Sequence, residues 1–187
     1  AIVYAEKALP KVTNKQEVLE ILKDAEFRKG NMIGVVNALY NMLESEERLY
    51  TLTNEAHLFA SDYFGDSIAL KKAKLQSQKF PKSPNFLVLQ LMHLDKQDLN
   101  YDKKIIALYD KLIILYPNQT FYYRQKGLVL YNSEHSKEQR LLTKAVFDKV
   151  IALDSFDYDS YEYICRTYLW HDSKISKQYK KLALNNM

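Results

Sequence analysis

One cysteine, one tryptophan, four glycines and four prolines are all that this chain of 187 residues holds of those types. A single thiol, Cys165, excludes an internal disulfide. So little glycine and proline argues against a sheet protein with many tight turns and favours an all-helical chain. The apolar runs fall short of the roughly 18 residues a membrane span needs. Gly-rich phosphate loops and Gly-x-Ser-x-Gly elbows are missing, as are His-x-x-x-His and Cys-x-x-Cys spacings. The four histidines, His57, His93, His135 and His171, each stand alone in sequence, and His93 reads as a partly buried packing residue on a helix. Catalytic residues, metal ligands, cofactors and a small-molecule substrate are therefore not expected.

What is present reads as a folded, helical protein. Hydrophobic residues make up 47% and charged ones 27%, which excludes disorder. Fifteen tyrosines and eight phenylalanines suit helix packing by rings whose hydroxyls reach water. The net charge of +4 is mild, and Lys and Arg are mixed with Asp and Glu along the helices. The densest clusters, Lys71-Lys72-Lys74 and Lys174-Lys177-Lys180-Lys181, read as solvated faces without a nucleic-acid motif. Cys165 lies where two helices need a small residue and reads as a packing thiol rather than a nucleophile.

Apolar periodicity predicts helices over about 13–28, 31–45, 47–64, 66–80, 84–96, 100–116, 121–132, 137–154, 158–170 and 174–185. Ile2 to Leu9 reads as a further helix fragment. Thr13 with Gln16 forms a capping box, Gly30 is a stop, Asp66 is a cap, and Ser83-Pro84 is a strong start signal. The predicted stripes are Val18, Ile21, Leu22, Ala25 and Phe27, then Ile33, Val36, Leu39, Tyr40 and Leu43, then Leu49, Leu52, Ala56, Phe59, Ala60 and Tyr63, then Ile68, Ala69, Ala73 and Leu75. Short loops make consecutive helices antiparallel. No linker or break in composition marks a second domain, so residues 1–187 are expected to form one domain. The chain opens on Ala1 rather than methionine, which predicts trimming of the N-terminus. Asn118-Gln119-Thr120 is a glycosylation sequon in a predicted loop.

Two stretches repeat one pattern about 38 residues apart. Tyr123, Gly127 and Leu130, then Phe147, Val150 and Ile151, correspond to Tyr161, Cys165 and Tyr168, then Tyr179, Leu182 and Ala183. Ile105, Tyr109, Leu112 and Pro117 belong to a preceding unit. A large aromatic, a small residue four on, a large residue three beyond and then a second helix describe a hairpin that stacks on copies of itself.

This pattern resembles the tetratricopeptide repeat (TPR) family. Tyr123-Gly127-Leu130 and Tyr161-Cys165-Tyr168 match the family's helix A; Tyr109-Leu112-Pro117 and Phe147-Val150 match helix B. Ser155 replaces the terminal proline, Thr143 the usual alanine, and 132–137 lengthen one hairpin. The match is clear over 80–187 and degenerate over 1–79. Within the family, Phe80-Pro81-Lys82-Ser83, Tyr109-Asp110 and Arg124-Gln125-Lys126 also look like the repeat subunit of the endoplasmic reticulum membrane protein complex. The resemblance implies an all-α fold, a right-handed superhelical stack of antiparallel helix pairs. It also implies a concave groove lined by helix A, with Phe121, Arg124, Leu128 and Tyr131 from one unit and Asp159, Glu162, Arg166 and Trp170 from the next. Leu128 and Tyr131 stand where a carboxylate clamp would need Asn and Lys, so that clamp is not expected.

The leading reading is a non-enzymatic scaffold that binds a protein or peptide segment in the groove. A structural subunit of a larger, membrane-associated assembly is the alternative, favoured by a chain that stops at Met187 straight after an apolar helix. An enzyme with its site in the N-terminal half is the remote one. The expected location is the cytoplasm, with a periplasmic or secreted protein if a leader precedes Ala1. Oligomeric state is not legible in these residues.

Overall fold

A computed structural model describes residues 15–44, 47, 49–133 and 136–186. The fragment at Ile2 to Leu9, the Thr13 capping box, the loop around His135 and Met187 lie outside the described residues. Ten α-helices and no strand occur among the described residues: α1 (Lys15–Arg28), α2 (Met32–Met42), α3 (Tyr50–Phe64), α4 (Asp66–Lys79), α5 (Pro84–Met92), α6 (Tyr101–Leu115), α7 (Thr120–Asn132), α8 (Lys137–Leu153), α9 (Tyr158–Tyr168) and α10 (Ser173–Asn185). None of them is long and apolar enough to cross a membrane. The chain divides into two compact units, Ala1–Asp98 and Leu99–Met187.

In the first unit, helices two apart in sequence run side by side. Lys23 on α1 meets Glu55 on α3, 32 residues on, and the Phe27 and Phe59 rings meet edge to face at 6.1 Å. Leu49 and Thr53 meet Asn85 of α5, and His57 meets His93, at separations of 32 to 36 residues. Helices α1, α3 and α5 are therefore equivalent members of successive repeats, with α2 and α4 between them. The core under them holds Val36, Leu39, Leu43, Ala56, Ala60, Ala69, Ala73, Phe86 and Leu89, all with no exposed surface. Each such aliphatic or aromatic side chain contributes about 1.5–3 kcal/mol when removed from water, and the alanines let backbones approach.

Polar atoms tie Leu43, Glu47 and Leu49, between α2 and α3, to the start of α5. Asn85 is fully buried; its amide nitrogen donates to the Glu47 carbonyl at 2.8 Å, and its amide oxygen accepts from the Leu49 N–H at 2.9 Å. Ser83 Oγ donates to the Leu43 carbonyl at 2.6 Å. Ser83 does occupy the N-cap of α5 with Pro84 following, but its hydroxyl serves α2 and makes no cap bond. Gly65, at φ +75°, is the N-cap of α4, so Asp66 is the first helical residue instead of the cap. Gly30, at φ +73°, ends α1 as its sequence predicts, because the left-handed region is where glycine is free of Cβ strain.

The predicted stripes are partly displaced. Ile21, Phe27, Ile33, Tyr63, Ile68 and Leu75 are exposed, while Leu19, Val35, Ala38, Met42 and Thr53 are buried. Helix α5 stops at Met92, short of the predicted 96, and α3 begins at Tyr50 instead of 47.

In the second unit, paired contacts establish antiparallel hairpins. Asp102 meets Ser133 and Asp110 meets Lys126 between α6 and α7. Gly127 faces Phe147 between α7 and α8, and the Phe147 and Tyr163 rings stack at 5.2 Å between α8 and α9. Cys165 meets Ser176, and Tyr158 meets Asn186, between α9 and α10. Phe147, Val150, Tyr161, Ile164, Tyr168 and Tyr179 form this unit's buried cluster.

One turn occurs three times. In Phe80-Pro81-Lys82-Ser83, Tyr116-Pro117-Asn118-Gln119 and Asp154-Ser155-Phe156-Asp157 the last N–H donates to the first carbonyl, at 3.1, 3.1 and 3.2 Å. Each last residue is the N-cap of the next helix. Tyr123 then donates its hydroxyl to the Pro117 carbonyl and Tyr161 to the Ser155 carbonyl, both six residues back. Serine at 155 keeps the turn and its bond to Tyr161, because that bond uses a backbone carbonyl that serine and proline both possess.

Candidate functional site

Helices α7 and α9 run parallel. Arg124 pairs with Asp157 at 2.6 Å at one end, and the Tyr131 and Tyr163 rings meet at 5.0 Å further along. That arrangement brings Arg124, Leu128, Tyr131, Glu162 and Arg166 to one side of the second unit. Arg166 pairs with Glu162 at 2.6 Å, one turn back on α9, and bonds the Tyr131 hydroxyl; both partners, Glu162 first, hold its guanidinium charged. Leu128 and Tyr131 are half-buried against the Phe147 cluster. Asp159 and Phe121 are exposed, the latter touching the Tyr122 ring. Trp170 is 88% exposed and follows the end of α9, so it is not a helix residue as the periodicity predicts.

Arg124, a groove-lining residue by the repeat resemblance, is engaged in an ion pair. Its partner Asp157 is buried, and the other Asp157 oxygen accepts from Ser160 Oγ. The pair clamps α7 to the N-terminus of α9, where a carboxylate is also favoured by the helix dipole. Nothing in the sequence marks Asp157 as buried. Cys165 is half-buried, its thiol donates to the Ser176 carbonyl at 3.3 Å, and burial pushes its pKa up, away from nucleophilic chemistry.

The first unit holds a second constellation that sequence spacing conceals. His57 on α3, Asp66 at the start of α4 and His93 at the C-cap of α5 each offer one ligand atom, all within 4.8 Å of one another. His57 Nδ1 lies 3.4 Å from His93 Nε2, and His93 Nδ1 lies 2.9 Å from Asp66 Oδ1. Ser61 Oγ donates to the same Asp66 oxygen at 2.8 Å. His93 is therefore neither alone nor partly buried: it is 2% exposed. Burial pushes its pKa down, while the hydrogen bond from His93 holds the Asp66 carboxyl below its usual value. A separation of 36 residues is one structural repeat, which no local motif search can detect.

A pocket of about 170 Å³ is lined by Lys23, Phe27, Val35, Glu55 and Phe59, below the roughly 300 Å³ at which small-molecule sites begin.

No family model matches the chain, and no curated protein matches it by sequence. Solved structures do resemble it. A crystal structure of MamA protein superposes with a TM-score of 0.59 at 16% identity, covering 91% of both chains. Another of MamA gives 0.56 at 16% identity, covering 88% of this chain and 94% of that one. A thermophilic TPR protein of Thermus thermophilus, TTC0263, matches at 0.46 and 11% identity over 91% of both. Successive equivalent helices 32 to 36 residues apart, joined as antiparallel hairpins through a repeated four-residue turn, make this an all-α, tetratricopeptide-repeat-like fold.

Proposed function

We propose that the chain is a non-enzymatic interaction scaffold that holds an extended or helical protein segment on the α7/α9 side of the second unit. The observation that carries this reading is Trp170 standing almost fully in water beside the helix that bears Glu162 and Arg166. Large rings and arginines are the residues that anchor protein interfaces, and this tryptophan takes no part in the core. Phe121 at the first turn of α7 is a second exposed ring on the same helix as Tyr131. The paired charges would steer and orient the partner more than hold it.

The test spares Arg124, whose loss would expose a folding role. A Trp170→Ala/Arg166→Glu variant and a Lys71→Glu/Lys74→Glu control on α4 are used as baits against source lysate, with crosslinking and mass spectrometry. A partner crosslinked to α7 and α9, lost from the first variant and kept by the second, is the expected result. A partner set unchanged by the first variant moves recognition elsewhere and favours a structural subunit of a larger assembly.

A further inference from the structure

We infer that His57 and His93 together bind one divalent transition-metal ion, through His57 Nδ1 and His93 Nε2, with Asp66 positioning His93. The two nitrogens stand 3.4 Å apart. Nitrogens bound at about 2.0–2.1 Å to one tetrahedral zinc lie about 3.4 Å from each other, so the spacing already fits. The same spacing is long for a hydrogen bond between the rings, whose usual range ends near 3.2 Å.

The second ring nitrogen of His93 is committed. Its Nδ1–H donates to Asp66 Oδ1 at 2.9 Å, which leaves the Nε2 lone pair facing His57. A histidine that gives its far N–H to a carboxylate is the usual support of a metal-ligating imidazole, because the carboxylate fixes tautomer and ring orientation and raises ligand basicity. Ser61 Oγ in turn holds Asp66. The three residues come from two helices and a helix end packed together, and His93 is buried, so little ordering remains for the ion to impose. His57 is half-buried and Asp66 exposed, which gives the ion a path from solvent. Water or a partner side chain would complete the coordination. Imidazole pairs select zinc, copper or nickel over magnesium or calcium, which prefer oxygen.

The test is calorimetric titration of the full chain with zinc chloride, alongside magnesium chloride. One equivalent of zinc, with no magnesium uptake, is expected. His57→Gln abolishes saturable uptake and the zinc-induced rise in melting temperature, while its helical circular dichroism stays that of the parent. Asp66→Asn weakens affinity about 10–100-fold. His171→Gln, a change at an exposed histidine of the other unit, leaves both unchanged. Imidazole nitrogen NMR of the parent chain adds a readout independent of any variant: zinc shifts the His57 and His93 signals. The inference fails if the parent takes up no zinc, if His57→Gln binds as tightly as the parent, or if zinc moves only other histidine signals. Unchanged affinity in Asp66→Asn would remove Asp66 from the site.

Discussion

A Cβ placed on Gly127 would lie 2.8 Å from the Phe147 ring, closer than side chains tolerate. Phe147 is fully buried and stacked on Tyr163, so the ring can yield only by disturbing that stack. The α7–α8 hairpin closes at this point because one residue has no side chain.

Gly127→Ala is therefore expected to lower stability. Overpacking costs about 1–3 kcal/mol, more than the about 1 kcal/mol that alanine gains over glycine inside a helix. Thermal melts of Gly127→Ala, alone and with Phe147→Leu, check this: the smaller side chain should absorb most of the alanine's penalty.

Asn85→Ala removes the bonds that its amide makes to the Glu47 carbonyl and the Leu49 N–H. A hydrogen bond contributes about 0.5–1.5 kcal/mol, so losing two of them should cost about 1–3 kcal/mol. Urea unfolding should show a lower midpoint at unchanged slope, and Asn85→Leu should give no rescue, since the missing quantity is hydrogen bonds and not volume.

Arg124 and Arg166 should separate cleanly. Arg124→Ala leaves the buried Asp157 carboxylate without its cation, a loss of about 2–3 kcal/mol once the partial exposure of Arg124 is discounted. Arg166→Ala breaks an exposed, solvent-screened pair one turn apart and should leave the denaturation midpoint close to that of the parent. Asp157→Asn with Arg124→Ala should recover part of the first loss in chemical denaturation.

Tyr40 gives a pH signature. Its hydroxyl is buried without a hydrogen-bond partner among the described residues, and desolvation pushes its pKa from 10.0 to about 12. The folded chain thus keeps the proton at pH values where the unfolded chain releases it. This contribution is full below pH 10 and is lost between 10 and about 12, by up to roughly 2–3 kcal/mol. Tyr40→Phe should flatten that alkaline limb and, at neutral pH, leave stability unchanged or raised, because it removes an unpaired polar atom. Denaturant midpoints at pH 8 and pH 11 test both statements.

Zinc affinity offers a fifth check: acidification should weaken it, because protons compete with the ion for the imidazole nitrogens. Titrations at pH 7.5 and 5.5 would read the change as a fall in the association constant.

Much of the fold was legible in local sequence. Helical periodicity, the small residue at Gly127, the stop at Gly30 and the repeated spacing of Tyr123 and Tyr161 each depend on residues a few positions apart, and 3.6 residues per turn constrains all of them. The stripe errors have one physical origin. In a stack of hairpins a helix touches a partner in its own pair and others in neighbouring repeats, so Val35 and Ala38 are buried while Ile33 and Ile68 face water. The candidate face was legible in composition but not in pairing: Arg124 was visible as a charge, and only the parallel packing of α7 and α9 gave it to Asp157.

An all-helical chain of repeated hairpins follows from the amino-acid order alone, because turn residues, helix periods and small close-approach residues are local quantities. Which side chains one repeat shares with the next is settled by packing between helices. His57 with His93, Asn85 with the α2–α3 loop and Arg124 with Asp157 all join residues about one repeat apart. Hairpins of unequal length shift that register, so such pairs exist only once neighbouring helices have packed.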